Sequence, residues 1–211
     1  MPNFFDKKSQ MSIFKSSCYG DPLLNSRFLL DLSFKKEATD EKTAVVIMMN
    51  PSSTAKENVF YHVPLLEIND VDDTTRKVIK TLACNQIKYD KSIKRKPPTQ
   101  FDRIVFLNLI PYYCSQPYEL KPIYLDSSDS SYYLNYQTID KIMKELPEAT
   151  YFCAWLKRNY LSFAEEDIKK LMIKNGILNN TFCFDTAKNV FVVFNPYISP
   201  TQTMAHPLKW Q

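Results

Sequence analysis

Three apolar runs in this sequence end on side chains able to do chemistry, and a further such residue, a histidine, precedes a proline at position 206. Val45-Val46-Ile47-Met48-Met49 stops at Asn50-Pro51 and gives way to the small hydroxyl residues Ser52, Ser53 and Thr54. Ile104-Val105-Phe106-Leu107 stops at Asn108, and Tyr151-Phe152-Cys153-Ala154 stops at Trp155. His206, one of two histidines in the chain, is followed by Pro207 and Leu208. A carboxamide presents both donor and acceptor but takes no proton at neutral pH. Asn50 and Asn108 therefore suit orienting a water or reading a polar edge, not general base catalysis. Each residue also has a structural reading: the asparagines as strand-end caps, Trp155 as core, His206 as a packed histidine.

Positioning these groups requires a sheet. A continuous apolar run without alternation suits a strand covered on both faces, as in parallel sheets, and ligands of open α/β sheets collect at the carboxyl ends of the strands. In chain order, residues 1–26 carry a weak pattern and are expected to form an irregular N-terminal arm. Arg27 to Phe34 reads as a strand with Leu30, Leu32 and Phe34 on one face, followed by the charged loop Lys35 to Lys42 and the strand Ala44 to Met49. A long connection carries Phe60, Tyr61 and His62. Asp72-Asp73-Thr74-Thr75-Arg76 then has the composition of a helix start, with Val78, Ile79, Leu82 and Ala83 on the buried face. Arg103 to Ile110 is the second apolar strand. Tyr112 to Tyr133, rich in Pro, Tyr, Ser and Asp, reads as a surface excursion.

Ile139, Ile142, Met143 and Leu146 have the spacing of an amphipathic helix, which Pro147 stops. Thr150 to Trp155 is the third buried strand. Ser162-Phe163-Ala164-Glu165 has capping-box form, with Ile168, Leu171 and Met172 buried and Gly176 as C-cap. Thr181 to Phe184 and Val190 to Phe194 are short extended pieces. Alternating strands and helices predict a three-layer α/β/α sandwich with a mainly parallel central sheet, formed as one domain by residues 27–211. Right-handed crossovers would align Asn50, Asn108 and the Trp155 turn along one edge, with His206 reaching it from a terminal loop.

Composition narrows the chemistry. Only two glycines occur, Gly20 and Gly176, which excludes a Gly-rich phosphate loop and a dinucleotide fingerprint. Five cysteines, widely spaced and without a C-x-x-C pair, suit a reduced cytoplasmic protein. No His/Cys/Asp cluster has metal-ligand spacing, so neither metal nor cofactor is expected. The opening MPNFFDKKSQ lacks a signal peptide's apolar core, and no apolar run is long enough for a membrane span. The net charge of +4 permits nucleic-acid binding without demanding it. The densest basic stretch, Lys88 to Pro98, includes Lys94, Arg95 and Lys96. It reads either as a solvated loop or as one that tracks phosphates.

The set Asn50-Pro51-Ser52-Ser53, Asp73-Thr74-Thr75-Arg76, Asn108-Leu109, Ala154-Trp155 and His206-Pro207-Leu208 resembles the bacterial and phage family known as domain of unknown function 1643. More remotely it resembles the uracil-DNA glycosylase superfamily. There a first strand ends in a polar residue plus Pro, a middle strand in Asn and a later one in Trp-Gly, and a C-terminal loop begins His-Pro. The resemblance implies a uracil-DNA-glycosylase-like fold and a monomeric enzyme that hydrolyses the N-glycosidic bond of uracil in single- or double-stranded DNA.

On that resemblance Asn50 holds the attacking water, His206 hydrogen-bonds the uracil O2 as the base departs, and Asn108 reads O4 and N3–H. Phe60 or Tyr61 stacks on a flipped base beside Pro51 and Ser52. Leu208 and Trp210 are wedge candidates, and Ser53 and Lys209 contact phosphate. Ser52 stands where the most uracil-selective members carry a tyrosine that excludes a 5-methyl group, and Leu156 replaces the glycine after Trp155. The resemblance assigns no role to Asp73, Thr75 and Arg76. Two other readings stay open: a non-catalytic nucleic-acid-binding module of the same fold, serving a phage or mobile element, and an enzyme acting on free nucleosides or nucleotides.

Overall fold

The middle of the fold follows from a strand that has no polar face to show to water. Thr43–Met48 (β3) is buried at every position, and such a strand persists only where helices cover both sides of its sheet. The computed structural model describes residues 13–21, 26–51, 71–94, 97–113, 130–155, 162–197 and 206–210. Around β3 they form β1 (Lys15–Asp21), β2 (Ser26–Ser33), α1 (Asp73–Ala83), β4 (Arg103–Asn108), α2 (Ser130–Glu145), β5 (Thr150–Ala154), α3 (Ser162–Lys174), β6 (Thr181–Asp185) and β7 (Val190–Val193).

The strands make one sheet in the order β1-β2-β4-β3-β5-β6-β7. The four central strands β4-β3-β5-β6 run parallel. β2 and β7 run against them, and β1, antiparallel to β2, points with the majority. Side-chain alternation divides the core into two halves. Val45, Ile47, Val105 and Leu107 face α2 and α3, whereas Ala44, Val46, Ile104 and Phe106 face α1 and Trp210. The result is an α/β protein with a mixed sheet and helices on both faces. From β3 the chain passes to β4 on one side, then returns across β3 to β5 on the other. The strand order therefore reverses between β3 and β5.

Local signals explain the helix ends. Asp72 caps α1: its Oδ1 accepts the Thr74 and Thr75 N–H groups at 2.9 and 3.0 Å, and its Oδ2 accepts the Thr75 hydroxyl at 2.9 Å. At the other end the Leu82 carbonyl accepts the Phe101 N–H at 3.0 Å, just before β4 begins. This puts the end of α1 at the amino edge of the sheet and its capped start at the carboxyl edge. α3 ends in a Schellman motif, with Gly176 at φ +69. Gly176 N–H donates to the Ile173 carbonyl and Ile177 N–H to the Met172 carbonyl.

Several sequence expectations need correction. Lys15–Asp21, assigned to the irregular arm, is an edge strand paired along its length with β2. The segment Tyr112 to Tyr133 is not wholly a surface excursion, since Tyr112, Tyr113 and Tyr132 are buried and α2 already starts at Ser130; residues 114–129 lie outside the described ones. Ser162 is the first residue of α3 and does not precede it. Among the described residues no helix is long and apolar enough to cross a membrane.

Two substitutions separate packing from backbone strain. Phe152, fully buried among Phe101, Phe182, Phe191 and Trp210, should cost about 3–5 kcal/mol as Phe152→Ala. Gly176→Ala should cost only about 1 kcal/mol, since an added Cβ meets nothing within 4 Å and the penalty is the left-handed backbone alone. Urea midpoints at unchanged m-value check both.

Candidate functional site

Parallel register brings three strand ends together. Met48 of β3 lies opposite Asn108 on one side and Ala154 on the other. The pairing continues past the strand, with Leu109 N–H donating to the Met48 carbonyl at 2.8 Å and Ile110 N–H to the Met49 carbonyl at 3.0 Å. Asn50, Asn108 and Trp155 thus share the carboxyl edge, with Asn50 and Trp155 on either side of the strand reversal, where ligands of open α/β sheets bind. Asn50 is half-buried, its Nδ2 donating to the Pro51 carbonyl at 3.3 Å, and Pro51 is buried.

Asn108 has no exposed surface. Its Nδ2 donates to the Arg27 carbonyl at 3.3 Å, so the donor expected to read a ligand is used within the sheet. Its Oδ1 is buried with no hydrogen-bond partner. Trp155 is fully buried, set edge-on to Phe194 at 6.3 Å, and its indole N–H also lacks a partner. Asn135 of α2 was missed from sequence. Its Nδ2 donates to the carbonyls of Asn108 at 2.8 Å and Leu109 at 3.4 Å, tying the end of β4 to the helix, and its buried Oδ1 has no partner. The available signal was a polar residue one turn before Ile139 on an otherwise apolar stripe.

His206 lies at the same edge on the α1 side. Residues Pro207–Lys209 form a 3₁₀ turn that packs against α1, close enough for the Asp72 carboxylate to act on the imidazole. The Leu208 N–H donates to His206 Nδ1 at 3.3 Å. Nδ1 is therefore the acceptor nitrogen and Nε2 carries the proton in the neutral ring. Burial lowers the imidazole pKa from its ordinary 6.5, and the Asp72 carboxylate opposes that only in part. At neutral pH His206 is an uncharged Nε2–H donor, suited to stabilising a developing anion without transferring charge.

The remaining expectations divide. Leu208 is exposed at 54% and Lys209 is exposed, as a surface contact requires. Trp210 is not a surface residue: it is fully buried against Phe152 and Phe191, which removes it from any direct contact with DNA. Lys94 is exposed on a loop whose Lys88–Asp90 stretch runs beside β7 through bonds to Phe191. That stretch lies four strand spacings, roughly 19 Å, to the side of β3. Lys188, exposed and 3.7 Å from Asp90, joins the same basic face. Ser52, Ser53, Phe60, Tyr61, Arg95 and Lys96 lie outside the described residues. A cleft of ≈ 360 Å³ lined by Lys15, Asp31, Lys36 and Arg103 lies toward the amino edge of the sheet. There the Arg103 fork is already committed to Asp31 through bonds of 3.0 and 2.7 Å, so the cleft is a solvated ion-pair groove away from the strand ends.

Comparison with known proteins finds no matching family model, no matching curated protein and no matching solved structure.

The tautomer is testable without a ligand. Nitrogen-resolved NMR of the histidine rings should show His206 as the Nε2–H form at neutral pH, titrating below 6.5. Because the folded state binds this proton less readily than the unfolded chain, stability should fall as pH drops from 6.5 through the lowered value. His206→Gln should remove that component of the fall.

Proposed function

We propose that the protein is a uracil-DNA-glycosylase-like enzyme, with a fold of that type, that hydrolyses the N-glycosidic bond of uracil in DNA. One observation carries the reading: three parallel strand ends bearing Asn50, Asn108 and Trp155 adjoin at the strand reversal, with His206 as a neutral donor on the same edge. In this reaction the bond between sugar and base breaks with its electron pair leaving on the base, and water adds to the sugar carbon. Such a step needs a placed water and stabilisation of a departing anion more than it needs a strong base.

Asn50 would orient the water through its amide oxygen. His206 would donate from Nε2 to the uracil O2. With one Asn108 amide hydrogen donated to the Arg27 carbonyl, its Oδ1 would accept N3–H. Phe60 or Tyr61 would stack on the base, Ser52 would leave the C5 side open, and Leu208 would enter the duplex with Lys209, Ser53, Lys94, Arg95 and Lys96 on phosphates. Cysteines widely spaced in the sequence and without a C-x-x-C pair suit a reducing, cytoplasmic setting, and a monomer suffices for the reaction. The second reading is a nucleic-acid-binding module of the same fold that does no chemistry and serves a phage or mobile element. The complete burial of Asn108 favours it.

Oligonucleotides bearing one uracil, single- and double-stranded, decide between them. Alkali-labile sites at the uracil are expected, and His206→Ala should slow their formation by about 10²–10³-fold, with a comparable loss for Asn50→Ala and little change in binding. Binding without any abasic product at enzyme excess sinks the first reading in favour of the second. Replacing Lys94, Arg95 and Lys96 by alanine should weaken DNA binding. It should also flatten its logarithmic salt dependence by roughly 2–3 units if each touches one phosphate; an unchanged slope removes the loop from the interface.

A further inference from the structure

We propose that Trp210 is the positioning residue for the His206 imidazole, anchoring the turn that carries it without touching a ligand itself. The turn closes through Lys209 N–H donating to the His206 carbonyl at 2.8 Å and Trp210 N–H donating to the Pro207 carbonyl at 3.0 Å. A single 3₁₀ turn is too short to hold itself in water and depends on tertiary packing. Among the described residues of this turn, Pro207 and Trp210 are buried, while Leu208 and Lys209 between them face solvent. Trp210 meets Phe191 of β7 edge-on at 5.0 Å and Phe152 of β5 at 6.2 Å. It belongs to the same core half as Val78 and Leu82 of α1.

Two strands therefore meet one indole, in a core half shared with α1, and that indole fixes the far end of the turn. His206 is coupled to the turn by its own ring, because Nδ1 accepts the Leu208 N–H. Any shift of the Leu208 backbone moves or breaks this bond, and with it the choice of which nitrogen carries the proton. The α1 cap carboxylate, Asp72, acts on the ring, so the turn's seat on α1 also sets the distance between carboxylate and imidazole. Trp210 thus controls ring orientation, tautomer and electrostatic surroundings through backbone alone. The consequence for catalysis rests on the role given to His206 above; the positioning does not.

The test uses the full chain, labelled with nitrogen-15. Long-range proton–nitrogen spectra of the histidine rings are recorded across the acid-to-neutral range, with His206→Gln separating His206 from His62. Wild-type protein should show the Nε2–H pattern. Trp210→Phe should keep it, and Trp210→Ala should give mixed tautomers with a titration midpoint returning toward 6.5. A folded Trp210→Ala protein with the wild-type tautomer and midpoint overturns the proposal. Should that variant fail to fold, Trp210→Leu takes its place, and identical ring spectra in the wild type, Phe and Leu proteins overturn it equally. In the uracil assay the Ala or Leu variant should lose kcat by roughly 100-fold, as for a group displaced by about 1 Å, with KM nearly unchanged. Absence of uracil release from every form refutes the glycosylase reading and leaves the spectra to judge Trp210.

Discussion

The constraint on which the structure depends is that β3 must stay dry on both faces. Val45, Val46 and Ile47 are wholly buried, each contributing roughly 1.5–3 kcal/mol by leaving water, and an unpaired polar group among them would cost a comparable amount. Helices must then cover both sides of the sheet, and parallel neighbours must take up the hydrogen-bonding groups along both edges of the strand. Polar residues are pushed to the strand's ends. At the carboxyl end, the first of them on β3 is Asn50. The chain reverses its strand order at the same place, so the end groups of β3, β4 and β5 collect around that reversal. The polarity of this edge is a by-product of keeping the centre apolar.

Proton bookkeeping limits what that chemistry can be. Asp72, the carboxylate that caps α1 and acts on His206, has both of its oxygens in use, Oδ1 on two backbone N–H groups and Oδ2 on the Thr75 hydroxyl. Asn50 and Asn108 accept no protons at neutral pH. His206 has Nδ1 occupied and Nε2 protonated. The edge is therefore a set of fixed dipoles, better matched to a reaction limited by departure of an anion than to one limited by deprotonation of the nucleophile.

What could be read from sequence follows from how local each signal is. Unbroken apolar runs announced β3, β4 and β5, because burial on both faces leaves no room for alternation. The acidic and hydroxyl start of α1 and Gly176 at the end of α3 are signals carried within a few residues of where they act. β1 was invisible because KSSCYGD has neither an apolar run nor strong alternation; its place comes from pairing with β2, a partner the local sequence does not announce. Trp210 was read as a surface wedge beside Leu208, since nothing nearby in sequence reveals that Phe152 and Phe191 enclose it. Asn135 was lost for the opposite reason: a helical stripe was counted only over its apolar members.

Near the ends of β4 and β5, Oδ1 of Asn108, Oδ1 of Asn135 and Nε1 of Trp155 are buried and meet no hydrogen-bond partner among the described residues. An unpaired buried polar group costs about 1–3 kcal/mol, and native proteins keep few of them, so their concentration near the ends of β4 and β5 is not a stability device. The two amide donors are spent on backbone carbonyls, which leaves acceptors from the asparagines and a donor from the indole. For the proposed substrate the asymmetry is informative. Uracil carries a hydrogen on N3 where cytosine carries a lone pair. An Asn108 whose amide is oriented by donating one hydrogen to the Arg27 carbonyl would offer its oxygen to the first and repel the second. A site committed to one hydrogen-bond sense can reject the mismatched ligand by about 10⁴–10⁵-fold, whereas an amide free to rotate would accept either base. The bond from Asn108 Nδ2 to the Arg27 carbonyl fixes which way the amide faces, and on the proposed role that orientation would favour uracil over cytosine.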